Sequence, residues 1–370
     1  MNTDSEYHGL LDKSISNMFW DAFKISVKHP QTAVFFLTTM IRQLFAARRR
    51  TAWGRKGIQV PPLMIISVTS QCNLKCKGCY AGELHRGTNA EMTDVELRQV
   101  FKEAGELGVS IILIAGGEPL SRSDLLEVAL DNPKIIFPLF TNGLLLTAEM
   151  VGKIKRGQNI VPIISLEGYE QETDDRRGRG VFQKLKKVIE KLRQEKLFFG
   201  VSVTMTRENF GVITSEDYIG DLIEAGVKLF LFVEYVPVKP GTENLTPSEE
   251  QRAVILDLMR KYRKEYPGLF IAFPGDEESF GGCLSSGRGF VHIGSDGSLE
   301  PCPFAPYSDT NLKNHTLKEA LSSPLLKEIR QNHDLLKETK GGCALWENRE
   351  WVRGLAKKQG DLPLDVTLKR

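Results

Sequence analysis

"PPLMIISVTSQCNLKCKGCY", residues 61–80, runs from an apolar stretch straight into three cysteines. A short run rich in Ile and Val, bounded by polar residues, reads as a buried strand, so Cys72, Cys76 and Cys79 stand in the loop that leaves it. The same apolar signature returns in "VSIILIAGGEP" (109–119), "KIIFPLFTNG" (134–143), "IVPIISLEG" (160–168), "FFGVSVTMT" (198–206) and "KLFLFVEYVPV" (228–238). Amphipathic stretches separate most of these runs. They include "TDVELRQVFKEAGELG" (93–108), opened by the capping-box pair Thr93 and Glu96, and also "FQKLKKVIEKLRQEKL" (182–197) and "EDYIGDLIEAG" (216–226). Six strands alternating with helices imply an α/β fold with a parallel sheet, in which the loops after the strand ends carry the chemistry. The cysteines occupy the first of those loops.

With 370 residues, 41% of them hydrophobic, the chain can bury a large core, and its length suits one large domain with a smaller one. A formal net charge of +2 argues against a nucleic-acid footprint over the whole surface, and no nucleic-acid partner is expected. The charge is uneven: residues 1–60 carry nine Lys and Arg against four Asp and Glu. No run approaches the roughly eighteen apolar residues of a membrane span, and no secretory pattern opens the chain, so a cytoplasmic location is expected. A reducing compartment keeps thiols free, which turns clustered cysteines toward metal or redox chemistry.

After about residue 240 the rhythm changes. Thr246, Pro247 and Glu249 are expected to open a helix with Ile255, Leu258, Met259 and Tyr262 on one face, and "LFIAFPGD" (269–276) to add a strand. "FVHIGSDGSLEPC" (290–302) reads as a hairpin turning at Asp296 and Gly297. Cys283, Cys302 and Cys343 lie in glycine-rich loops of this part.

Three thiols in one short loop admit two readings. With His85 as a fourth ligand they make a tetrahedral zinc knuckle. Without a fourth they hold three irons of a cubane and leave the last iron open to a ligand. Farther along, Gly116, Gly117, Glu118 and Pro119 end the second strand, "TNG" (141–143) the third, and "SLEG" (165–168) the fourth, followed by Asp174, Arg177 and Gly178. From Pro61 to Cys343 this order resembles the radical S-adenosylmethionine (radical SAM) enzymes, with their C-x3-C-x2-C loop, Gly-Gly-Glu-Pro turn and D-x-x-R-G element. The resemblance implies a partial (β/α)6 TIM-like barrel. It further implies a [4Fe–4S] cluster on Cys72, Cys76 and Cys79, with SAM held by Gly116, Gly117, Glu118, Pro119, Asn142, Ser165, Glu167 and Arg177. In elementary terms, a carboxylate such as Glu118 suits an ammonium, Arg177 suits a carboxylate, and paired glycines let backbone approach a ligand. Taken singly, the same residues also read as a turn, a solvated charge and a strand cap. The resemblance departs at one place: where many relatives carry an aromatic residue before the third cysteine, this chain has Gly78, with Tyr80 after it.

Cys283, Cys302 and Cys343 resemble the ligands of the auxiliary-cluster extension of SPASM or Twitch type, which implies a second [4Fe–4S] cluster with His292 and His315 as candidate fourth ligands. Scattered buried thiols are the alternative. Four segments are expected: an amphipathic and basic helical segment (1–57), the barrel (58–240), a connecting helix and strand (241–282) and the auxiliary-cluster domain (283–370). The helix "TAVFFLTTMIRQLFAARRR" (32–50) either packs on the barrel or meets a membrane surface, a peripheral association. By resemblance, SAM is cleaved reductively to a 5′-deoxyadenosyl radical that abstracts hydrogen from a small-molecule, lipid or peptide substrate, with an external electron donor such as flavodoxin or ferredoxin. Glu234 and Tyr235, at the end of the sixth strand, are the catalytic or substrate-contact candidates. The rival functions are a non-catalytic electron-transfer or cluster-carrier protein and a zinc-stabilised binding protein.

Overall fold

The computed structural model describes residues 4–84, 89–274, 277, 280–337 and 342–358. His85, the fourth ligand of the zinc reading, lies outside the described residues. The six expected strands are β1 (Leu63–Ser67), β2 (Ile111–Ala115), β3 (Phe137–Thr141), β4 (Ile160–Leu166), β5 (Gly200–Met205) and β6 (Leu229–Glu234). They pair in chain order and in parallel. Three more strands extend the sheet: β7 (Leu269–Phe273) beside β6, β8 (Phe290–Ile293) parallel to β1, and β9 (Leu299–Glu300) antiparallel to β8. The result is a curled nine-stranded half-barrel.

Alternation along each strand builds two different environments. Met64, Ile66, Ile112, Ile114, Val201 and Val203 point outward and are buried beneath the helices. Ile111, Val161, Ile163, Leu229 and Leu231 point inward, where Leu11, Ile15 and Phe19 of α1 (Asp4–Ser26) pack against them. Helix α2 (Pro30–Gly54) runs back along α1, as the Asp12–Arg50 ion pair and the Phe19–Phe36 ring contact require. Arg50 also donates to the Gly108 carbonyl and the Ser110 hydroxyl, which ties the hairpin to the foot of β2. Gly108 is itself required there. Its φ of 99° caps the helix Asp94–Leu107, and a Cβ on it would stand 2.7 Å from the Ala46 carbonyl oxygen.

The capping box on Thr93 and Glu96 forms as the sequence suggests. The later helix begins two residues beyond its expected start. Ser248, not Thr246, caps Glu249–Glu265, because only Ser248 and Gln251 exchange the two reciprocal capping bonds. Thr246 stays extended ahead of Pro247. The hairpin turns at Asp296 and Gly297, with Gly297 at φ 89° and the Asp296 carboxylate accepting from Ser298 N. The sheet runs across the divisions drawn near 240 and 282: β7 belongs to the connecting segment, and β8 and β9 to the auxiliary segment.

Candidate active site

The cysteine loop is anchored on three sides. Gly117 N donates to the Thr69 carbonyl (2.8 Å) and Glu118 N to the Gln71 carbonyl (2.7 Å), so the Gly-Gly-Glu turn of β2 clamps the end of β1. A Cβ on Gly117 would lie 2.0 Å from Gln71 O, and no other residue fits that contact. Glu91 accepts from Ser70 N (2.7 Å) and from the Ser70 and Thr69 hydroxyls. From the far side, Lys77 N donates to Arg176 O (2.9 Å), while the Arg176 guanidinium returns to Lys77 O (3.2 Å).

Within this frame the thiols of Cys72, Cys76 and Cys79 are free and line one cavity. Donors face the sulfurs. Leu74 N and Asn142 Nδ2 approach Cys72 Sγ at 3.4 and 4.0 Å, and Arg177 Nη1 lies 4.0 Å from Cys76 Sγ. Burial pushes the Cys76 thiol up, and Arg177 and Arg176 pull it back. Burial wins at both Cys72 and Cys76, so a cationic group in the cavity would be what stabilises them as thiolates. Among the described residues, no three His, Cys, Asp or Glu side chains converge on a single ion. A cubane asks for wider spacing, since each thiolate takes its own iron, and the donor set of the loop fits that group.

Several expected contacts are made, but to protein. The Glu118 carboxylate is fully buried and accepts from Thr141 Oγ1 (2.7 Å), Leu120 N (3.0 Å) and Asn142 N (2.7 Å). Burial raises its pKa against those donors. It holds the ends of β2 and β3 together and also lines the cavity, with Pro119 opening the turn that follows. Glu167 is likewise consumed, by Arg176 (2.5 Å), Arg177 (2.5 Å) and Thr204 N (3.1 Å). Arg177 is thereby positioned beside Cys76 and on the cavity wall, with Gly116, Gly117, Asn142 and Ser165. Asn142 also bonds Asn73 in the cysteine loop (2.7 Å), and Ser165 sits in register with Ser202.

Glu234 and Tyr235 line the same cavity but are committed. Glu234 pairs with Arg252 (2.5 Å) and Tyr235 donates to Thr242 Oγ1 (2.9 Å). Burial nonetheless pushes the Glu234 carboxyl up against the pull of Arg252. Tyr235 explains the departure at Gly78: a Cβ there would meet the Tyr235 hydroxyl at 2.4 Å. An aromatic ring from the end of β6 thus packs against the residue before the third cysteine. Tyr80 packs on Phe304, ring centroids 5.2 Å apart, and both rings line the cavity as well.

The second trio also reaches this cavity. Cys283, Cys302 and Cys343 share a small core with Phe304, Tyr307 and Leu345 and line the cavity beside the first trio. Burial pushes the Cys302 thiol far up, and Cys343 and Cys283 add to the effect. Three thiols that hinder one another's ionisation are a donor set that cations would relieve, which fits an iron–sulfur cluster. The two histidines do not complete it. His292 is buried with both ring nitrogens used, by Ser67 (2.8 Å) and Glu300 (2.5 Å), and burial pulls it down to about 3. His315 is exposed, bonds Asn311 O and stands outside the cavity lining. Sequence reasoning missed Arg176, whose only signal was its place before Arg177. It also missed His333, which meets the Cys283 carbonyl (3.1 Å) and Arg288 and had no signal at all.

Fold and site together define a half-barrel with a three-cysteine loop at the carboxyl end of its first strand. Comparison with known proteins agrees. The sequence model of the Radical SAM superfamily matches residues 66–217. The chain is 26% identical to the "AdoMet-dependent heme synthase" of Methanosarcina barkeri over 80% of this chain and 90% of that protein. It is 30% identical to the "Probable GTP 3',8-cyclase" of Methanococcus vannielii over 64% of this chain and 83% of that protein. Among solved structures, SuiB of Streptococcus suis bound to S-adenosylmethionine superposes with a TM-score of 0.64, at 18% identity, over 79% of this chain and 73% of SuiB, and shares the fold. The chain belongs to the radical SAM superfamily, whose relatives named here are enzymes.

Proposed function

We propose that the protein is a radical SAM enzyme with two [4Fe–4S] clusters, the first on Cys72, Cys76 and Cys79 and the second on Cys283, Cys302 and Cys343. The observation that carries this reading is the shared cavity of about 1080 Å³ lined by all six thiols together with Gly116, Gly117, Ser165 and Arg177. When bound, the first cluster supplies an electron that splits SAM into methionine and a 5′-deoxyadenosyl radical, which takes a hydrogen atom from substrate. The chain's own part is positional. The glycine pair brings backbone to the ligand, Arg177 offers a guanidinium to the SAM carboxylate, and the walls exclude water from the reacting atoms. An external low-potential donor of the flavodoxin or ferredoxin kind is to supply the electron. In anaerobically reconstituted protein with dithionite and SAM, 5′-deoxyadenosine should form, and Cys76→Ala should reduce it to background. Wild-type turnover by that variant would remove the reading and favour an electron carrier.

We further propose that α2 lies on an anionic membrane surface. Val34, Leu37, Ile41, Leu44 and Phe45 are 44–62% exposed on the face opposite the one packed on the protein, and exposed Arg48 and Arg55 continue that face. An interfacial helix combines these features. Among the described residues no helix is long and apolar enough to cross a membrane. Sedimentation with phosphatidylserine vesicles should be lost in Ile41→Glu/Phe45→Glu, and equal sedimentation of both proteins would remove the idea.

A further inference from the structure

The interior of a closed barrel is normally filled by its own side chains. Here it is not. Below the cysteine loops the cavity continues between the strands toward their amino ends, where α1 forms its floor through Leu11, Ile15, Met18 and Ile25. Ile65, Leu113, Ile271 and Phe290 lie inside a nine-stranded sheet and still keep partial exposure, because they face this space. Strand β5 contributes no bulk inward, since its positions there are Gly200, Ser202 and Thr204.

The polar lining is concentrated on the walls other than β1, β2 and β7, with Ser165 and Ser202 of β4 and β5 in register, through Leu231, with Ile271. Thr204, Arg176 and Arg177 stand at the cysteine end, and Asn17, Asp21, Lys24 and Arg263 at the α1 end. Between them the inward wall of β1, β2 and β7 is hydrocarbon: Leu63 and Ile65, Ile111 and Leu113, Leu269 and Ile271. A wall of this lining disfavours a polar molecule, because each desolvated polar group would find no partner on it. It takes an apolar one at little cost. The cavity of about 1080 Å³ is at the upper limit for a single small ligand, roughly 300–1,000 Å³; the clusters and SAM would share its cysteine end, and the part between β1, β2, β7 and α1 lies beyond them.

We infer that the substrate is a molecule with a long apolar body, a lipid-like chain held between β1, β2 and β7 above α1, with one end presented to the cysteine loops. The inference rests on the proposed radical SAM function of the same cavity. It disfavours as the natural substrate a molecule that is polar throughout, because the wall of β1, β2 and β7 offers such a molecule no hydrogen-bond partner.

The test is direct binding of dansylaminoundecanoic acid to the full chain, followed by fluorescence, with dansylglycine as the probe that lacks the chain. The long-chain probe should bind and dansylglycine should not. Leu113→Trp, and independently Ile271→Trp from the other side of the chamber, should weaken binding by roughly tenfold or more by filling the space. Ile41→Glu/Phe45→Glu on the outer face of α2 should bind as wild type does. In the wild type, a photoreactive diazirine fatty acid should label peptides of β2 and β7, a readout that needs no variant to fold. Equal binding of the two dansyl probes, loss of binding in the α2 variant but not in the tryptophan variants, or label confined to α2 would each overturn the inference. Iron content and 5′-deoxyadenosine formation by the wild type are measured separately. A protein that cleaves SAM and ignores the chain refutes the chamber alone, and one that binds the chain and never cleaves SAM refutes the enzymatic reading alone.

Discussion

The two cysteine trios sit on one cavity but are built in opposite ways. Cys72, Cys76 and Cys79 share one short loop, exposed or half-buried, and their geometry is imposed by backbone bonds from β2 and from the helix Glu170–Arg177. Cys283, Cys302 and Cys343 come from three separate loops, two of the three are buried, and they meet only because a hydrophobic core forms around them. A loop trio is a local device on a rigid scaffold. A scattered trio is a product of folding, so loss of a ligand there should also be felt as a loss of packing.

The largest expected contrast is in iron. Reconstituted wild type should carry about eight irons and Cys302→Ala about four, with SAM cleavage retained under a strong chemical reductant. The same count in both proteins would make the second trio structural and end the comparison. Because Cys302 is buried at 5% exposure, this variant should also melt several degrees lower, whereas Cys76→Ala, altering a half-buried loop, should melt close to wild type.

A smaller effect sharpens the reading of the first trio. Arg177→Ala should weaken SAM binding by about 1–3 kcal/mol in a calorimetric titration, if its guanidinium meets the SAM carboxylate as well as Glu167. Unchanged affinity would leave Arg177 as a partner of Glu167 only.

The smallest effect concerns the seam between the trios. His292 lies on β8, ahead of Cys302, and bonds Ser67 on β1, ahead of Cys72. Its folded pKa is depressed to about 3, while an unfolded chain takes up the proton near 6.5. The neutral ring therefore costs nothing above about pH 6.5. As pH falls below that value the unfolded state gains by about 1.4 kcal/mol per unit until the folded pKa is reached. Chemical denaturation at successive pH values should show this slope. His292→Gln should flatten it, and an identical slope in both proteins would assign the acid sensitivity elsewhere.

Much of the scaffold was legible because its signals are local. Apolar runs with Ile and Val mark β1 to β6, Thr93 and Glu96 mark a helix start, and Asp296 and Gly297 mark a turn. The landmarks after the first four strands were legible too, and they converge on one cavity. Their roles were harder to read. Glu118 and Glu167 look in sequence like ligand carboxylates, yet each is surrounded by donors that come from other strands and helices. Gly78 made sense only once Tyr235 was found against it from β6.

By itself the sequence determined the strand–helix alternation, the three-thiol loop and its place after β1, since all depend on neighbours within a few residues and on side-chain period. The tertiary structure alone decided which carboxylates are already paired, that His292 is a neutral strut and not a ligand, that the two trios line one cavity, and that this cavity continues between the strands toward α1. Those are outcomes of distance and burial between residues far apart in the chain, and composition and spacing carry no record of which buried group finds a partner and which space is left unfilled.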